Sequence, residues 1–150
     1  MSVFNLHLPV AIGCDHAGYE YKEALREMLE SEGIKVLNFG TDSPASVDYP
    51  DFVHPVCRAI EQGEAEIGIL LCGSANGVAI TANKHLRIRA AICWMNDIAK
   101  LARQHNNANI ICIPARWISL DLAKSMVHEF LKTDFEGGRH QKRVEKIAAF

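Results

Sequence analysis

Short apolar runs alternate along this chain with stretches whose apolar residues recur every three or four positions. Val10–Cys14, Ile34–Phe39, Ile67–Cys72, Arg89–Trp94 and Ile110–Ile113 read as strands. Between the first two, Tyr21, Leu25, Met28 and Leu29 share one helical face, and Gly33 stops that helix at a position suited to positive φ. Phe52, Val56 and Ile60 line one side of a helix over Phe52–Gln62, with Pro55 in its first turn or bending it. Ile98–Gln104 and Leu120–Leu131 read as later helices, the second capped by Ser119, and after Gly137-Gly138 a basic helix over Arg139–Ala149 closes the chain. Strands that alternate with helices in this way predict repeated βαβ units and an α/β fold on a five-stranded parallel sheet.

Composition narrows the picture without changing it. The 150 residues suit one domain, with 49% hydrophobic and 23% charged residues, and neither repeats nor a linker divide them. A net charge of -2 argues against a general nucleic-acid binder, whose affinity comes from excess Lys and Arg. Met1–Pro9 carries no leader pattern, and no segment is apolar enough for a membrane span. The five cysteines form no C-x-x-C pair, and all but Cys72 read as small buried hydrophobes, which points to a reducing, cytoplasmic compartment.

Candidate chemistry gathers at the strand ends. The third strand stops at Cys72 and turns through Gly73-Ser74-Ala75-Asn76-Gly77 into a helix. Positions of this kind lower a thiol pKa from about 8.5 towards neutrality, and the N–H groups of the same turn suit a developing oxyanion. The first strand ends in Cys14-Asp15-His16-Ala17-Gly18, where Asp15 is either a helix cap or an acid–base group. Strands one and three are expected to be neighbours, so both loops face one crevice. Arg103–Asn109 reads as a polar loop before strand five, at the end opposite Cys72 and roughly 15 Å away. His105 therefore reaches the chemistry most simply from a second subunit. Arg139 and Arg143, at i and i+4, suit a phosphate or a solvated basic face, and Arg116 is placed to join the same anion site. Neither G-x-G-x-x-G nor a phosphate-binding G-x-x-x-x-G-K-[ST] occurs, nor any H-x-x-x-H metal pair, so no metal or nucleotide cofactor is expected.

Six segments in unbroken order carry a resemblance: Gly13–Gly18, Asp48–Pro50, Cys72–Gly77, Ala82–Lys84, Arg103–Asn106 and Glu136–Gln141. They resemble the type B ribose-5-phosphate isomerases, a family that also holds allose- and galactose-phosphate isomerases. The resemblance implies a Rossmann-like three-layer α/β/α sandwich with a C-terminal helical tail. It also implies a cofactor-free aldose–ketose isomerase that interconverts ribose 5-phosphate and ribulose 5-phosphate, in the non-oxidative pentose phosphate branch, through an enediolate. A six-carbon phosphosugar is the alternative substrate. Cys72 would be the base, since the position where some members carry a glutamate is Val78 here. Asp15 and His105 would open the sugar ring. His16, Arg139 and Arg143 would bind phosphate, and Tyr49, Ser74, Asn106 and Arg116 would line the site. N–H groups from Gly73 to Gly77, Asn76 included, would hold the enediolate oxygen. The family's sites are shared across a homodimer, in some cases within a tetramer. Two rivals fail on single positions: a cysteine phosphatase needs arginine where Val78 stands, and a receiver domain needs aspartate in place of Cys72.

Overall fold

The computed structural model describes residues 6–150, so the Met1–Pro9 segment read as free of a leader lies partly outside the described residues. Five strands, β1 (Val10–Cys14), β2 (Val36–Asn38), β3 (Ile67–Cys72), β4 (Ala90–Ile92) and β5 (Ile110–Pro114), form one sheet in the order β2-β1-β3-β5-β4. All four pairings are parallel. Six helices connect and follow them: α1 (Tyr19–Ser31), α2 (Pro50–Glu61), α3 (Asn76–Ala82), α4 (Asn96–Asn106), α5 (Leu120–Lys132) and α6 (Arg139–Lys146). Among the described residues no helix is long and apolar enough to cross a membrane.

The strand order sets the layers. The chain steps one way across the sheet from β1 to β2, the other way from β2 through β3 to β4, and back again to β5. Right-handed crossovers place helices of opposite steps on opposite faces. Leu25 and Leu29 of α1, Ala99 of α4 and Phe130 of α5 accordingly fill one core, while Val53 and Val56 of α2 pack with Val78 and Ala82 of α3 in the other. The expected α/β/α sandwich results, and the first reversal of direction falls between β1 and β3.

The elements depart from their expected bounds for physical reasons. β2 and β4 are each three residues long, shorter than Ile34–Phe39 and Arg89–Trp94, because both are sheet edges that pair on one side only. α2 begins at Pro50, which puts Pro55 in its second turn; the carbonyl that loses a donor belongs to Asp51, which is exposed to water. Arg103–Asn106 is the last turn of α4 and not a loop, closed by Asn107 in the left-handed region at φ 46°. α6 ends at Lys146 because Ile147–Phe150 is exposed and packs no apolar face. Gly33, at φ 80°, and Ser119, whose Oγ accepts from Leu122 N–H at 3.1 Å, end α1 and cap α5 as expected.

A buried cation ties this frame to the end of β1. Lys22 on α1 exposes no side-chain surface, and its Nζ donates to Asn38 Oδ1 and Asp42 Oδ1, both at 2.9 Å, and meets Glu23 Oε1 at 2.9 Å. The loop it pins bonds Cys14 twice, through Cys14 N–H to Gly40 C=O (2.7 Å) and Thr41 N–H to Cys14 C=O (2.9 Å). Desolvation pulls the Lys22 pKa down, but the Asp42 and Glu23 hydrogen bonds outweigh it and raise the value; the same bond holds Asp42 below the usual carboxylate range. Asp42 therefore contributes stability above its unfolded pKa, which is lost as pH falls through its folded value, whereas the Lys22 contribution persists through neutral pH. Lys22→Met is expected to cost about 1–3 kcal/mol near neutrality, discounted because both carboxylates are solvated. Urea unfolding should show that gap narrowing below about pH 4; a gap independent of pH would contradict the coupling.

Candidate active site

β1 and β3 end side by side at the reversal point, and their last residues open onto a cleft of about 540 Å³. Asp15, Tyr49, Cys72, Gly73, Ser74 and Gly77 line it, and Arg116 and Trp117 close one side. Cys72 is the final residue of β3, opposite Pro114 of β5. Its carbonyl accepts from Ala115 N–H at 3.0 Å, and Gly73 C=O accepts from Arg116 N–H at 3.1 Å. These bonds lock the end of β5, and with it Arg116, beside the thiol.

The turn after Cys72 is strained where it matters. Ala75 is fully buried and sits in the left-handed region at φ 68°, which reverses the chain sharply into α3. α3 has only seven residues, so its dipole is short and an oxyanion at this turn would rely on the turn's own N–H groups. One of them is committed: Asn76 N–H donates to Ser74 Oγ at 3.3 Å. Behind this element, Glu61 Oε1 lies 2.6 Å from His85 Nδ1, and His85 Nε2 lies 2.8 Å from His54 Nδ1, which ties the residues after α3 to α2.

Asp15 caps its turn and also lines the cleft. Its Oδ1 accepts from Ala17 N–H (2.9 Å) and Gly18 N–H (3.2 Å). Burial pushes the Cys14, Cys57 and Cys93 thiols up to about 12 and raises Cys112 well above its ordinary value, so these four stay neutral. Cys72 is the thiol that opens onto the cleft.

A second group assembles at the opposite end of β5. His105, Asn106, His140 and Arg143 line a pocket of about 310 Å³ where α6 packs on α4. Arg103 on α4 ties that helix to the end of α5, its guanidinium donating to Thr133 C=O at 3.1 Å and to Ala108 C=O, and Glu136 N–H, ahead of α6, donates to Gln104 C=O at 3.1 Å. The His105 ring stacks on His140 with centroids 4.2 Å apart, and its Nε2 lies 3.6 Å from Glu136 Oε1. Burial, with His105 and Arg139 nearby, lowers the His140 pKa.

The expected residues thus divide within one chain. His105, Asn106 and Arg143 are separated from Cys72 by the length of β5, as the distance argument required. Within one chain Arg116 does not meet Arg143, because it follows the C-terminal end of β5 while α6 returns to the other end. His16, Asn76 and Arg139 line neither pocket; His16 Nδ1 accepts from Val47 N–H at 3.2 Å, and the other two are exposed. Trp117, Glu136 and His140 went unassigned. Trp117 is 76% exposed in a turn with no periodic neighbour, and the other two matter only through tertiary contact.

A parallel sheet that carries a thiol, a carboxylate, a phenol and a guanidinium where its strand order reverses has the ligand-binding arrangement of open α/β enzymes. The chain belongs to the ribose/galactose isomerase family, whose model matches residues 10–147. It is 42% identical over 140 residues to ribose-5-phosphate isomerase B of Escherichia coli, covering 93% of this chain and 94% of that protein. The solved ribose 5-phosphate isomerase from Thermotoga maritima superimposes with a TM-score of 0.94 at 48% identity, over 96% of this chain and 99% of that one. Ribose-5-phosphate isomerase B of Mycoplasma genitalium, solved with bound ribulose-5-phosphate, matches with a TM-score of 0.91 at 36% identity over 97% of each chain.

A Cβ on Gly77 would lie 2.5 Å from the Tyr49 ring, so this glycine is what lets the phenol stand over the turn. Gly77→Ala is expected to destabilise by about 1–3 kcal/mol. Adding Tyr49→Ala should recover most of that loss in denaturant unfolding, and additive losses would show that the two residues do not clash.

Proposed function

We propose that this protein is an aldose–ketose isomerase that interconverts ribose 5-phosphate and ribulose 5-phosphate through an enediolate, with Cys72 as the base. The observation that carries this reading is the Cys72 thiol at the head of a cleft shared with Asp15, Tyr49, Ser74 and Arg116. The relatives named ribose-5-phosphate isomerase B, one of them holding ribulose-5-phosphate, support the substrate. The 150 residues act as one sugar-phosphate isomerase domain.

Removing a proton beside a carbonyl near neutral pH needs a base and a sink for the resulting charge. Asp15 on one side, and His105 from a second copy of the chain on the other, move the protons that open the furanose ring. The Cys72 thiolate then takes the C2 proton, and the electron pair moves onto the carbonyl oxygen of C1. Ser74 and the free N–H groups between Gly73 and Gly77 hold that oxyanion. The same thiol returns the proton to C1 while the O2 hydroxyl proton passes to O1 and C2 becomes the ketone, so the reaction balances without an outside oxidant or reductant. Tyr49, Arg116 and Asn106 hold the open chain, while His16, Arg139 and Arg143 bind the phosphate, whose binding energy keeps the reacting carbons in place.

This scheme requires a homodimer. His105, Asn106 and Arg143 share one pocket, so they enter the partner's cleft as a set. A cytoplasmic location fits the five free thiols, which a reducing compartment preserves.

Cys72→Ala is expected to lower turnover of ribose 5-phosphate by about 10²–10⁴-fold while calorimetry still detects binding. Turnover close to wild type would exclude Cys72 as the base. Arg143→Ala should raise KM about tenfold or more with a smaller effect on kcat, since one charge-assisted phosphate contact is lost. Steady-state kinetics decide this, and an unchanged KM would return Arg143 to the solvated surface. In wild type, kcat/KM for ribose 5-phosphate should exceed that for allose 6-phosphate; the reverse order would assign the cleft to six-carbon sugars.

A further inference from the structure

We propose that His105, Glu136 and His140 form a binding site for a first-row divalent transition metal such as Zn²⁺, and that filling it withdraws His105 from isomerisation. The second half of this inference rests on the role proposed above for His105; the site itself does not.

Two imidazole nitrogens and a carboxylate oxygen are brought together here by three separate backbone positions. Their ligand atoms all lie within 4.8 Å of one another. His105 Nε2 and Glu136 Oε1 are 3.6 Å apart, close to the edge of about 3.4 Å that bonds of 2.0–2.1 Å make in a tetrahedron. The backbone that carries them is already fixed. Glu136 N–H is bonded to Gln104 C=O at 3.1 Å, His140 N–H to Gly137 C=O at 3.0 Å, and Arg103 clamps Thr133. His140 is 7% exposed and supplies a fixed anchor, whereas the His105 and Glu136 side chains are 38% and 49% exposed and free to adjust.

The stacked geometry says what must move. With the two rings 13° from parallel and 4.2 Å between centroids, their in-plane lone pairs do not yet converge. Rotation of the His105 ring out of the stack completes the set, and the same rotation takes it away from a sugar ring. Three protein ligands leave a fourth position for water. Nitrogen donors select zinc-like ions over Mg²⁺ or Ca²⁺, which prefer oxygen. Arg139 and Arg143 on the same helix oppose a dication, and Glu136 offsets only one of those charges. The site is accordingly a reversible inhibitory one and not a structural centre.

Calorimetric titration of the metal-free full-length protein with Zn²⁺ tests the inference. One Zn²⁺ per chain is expected in wild type and equally in Cys72→Ala, with affinity lowered about tenfold or more in Glu136→Gln and in His140→Asn. Glu136→Gln guards against a fold defect at the buried histidine. Zn²⁺ should inhibit ribose 5-phosphate turnover by wild type, a chelator should restore it, and Glu136→Gln should need about tenfold more metal for the same inhibition. No binding by wild type, or binding lost in Cys72→Ala and unchanged in Glu136→Gln, would overturn the site. Binding with the expected pattern but no inhibition of an active enzyme would overturn the inhibitory role. Metal-free wild type inactive on ribose 5-phosphate would instead refute the isomerase reading, while the binding data still judged the site.

Discussion

A parallel strand has a beginning and an end about 15 Å apart, and the groups that line the two pockets are committed to one or the other. The reversal of direction between β1 and β3 brings Asp15 and Cys72 to one crevice at the strand ends. The return from α4 into β5 just as firmly puts His105, Asn106 and Arg143 at the far side. No side-chain motion bridges that gap within a single copy. On the proposed mechanism the site needs both groups and would lie between two copies, which would make oligomerisation part of the catalytic geometry.

Both halves are held by bonds that look incidental in isolation. Lys22 spends a buried charge on the loop that bonds Cys14, the residue before Asp15. Half-buried Arg103 bonds the Thr133 carbonyl, from which the chain continues to Glu136, His140 and Arg143. Around them, burial keeps four thiols neutral, so the chemistry of sulfur is confined to the one cysteine that faces the cleft. The rigid elements thus decide which members of a chemically repetitive set are active.

How much of this was legible depended on where the controlling force acted. β1, β3 and β5 are buried on both faces, and their continuous apolar runs gave their bounds almost to the residue. The edge strands β2 and β4 were overrun because lost pairing, not hydrophobicity, ends them. The helix read over Ile98–Gln104 runs on through His105 and Asn106, which read as loop because that last turn is stabilised by guanidinium and backbone hydrogen bonds and has no apolar period. Cys72, Ser74 and Asp15 were recognisable from local order alone, being a strand end and the turn that follows. The grouping of Glu136 with His105, and the placement of Arg116 away from Arg143, depend on how α6 folds back onto α4 and carry no local signature.

The proposed division of the site between two copies is open to a direct measurement by subunit mixing. Cys72→Ala and His105→Ala each destroy both sites of a homodimer, but a hybrid of the two retains one intact site. Denaturing and refolding the two inactive proteins together in equal amounts should restore about one quarter of wild-type activity, since half the dimers are hybrids with one working site of two. If the mixture stays as inactive as its parents while wild type treated alike recovers, Cys72 and His105 do not meet across a subunit boundary.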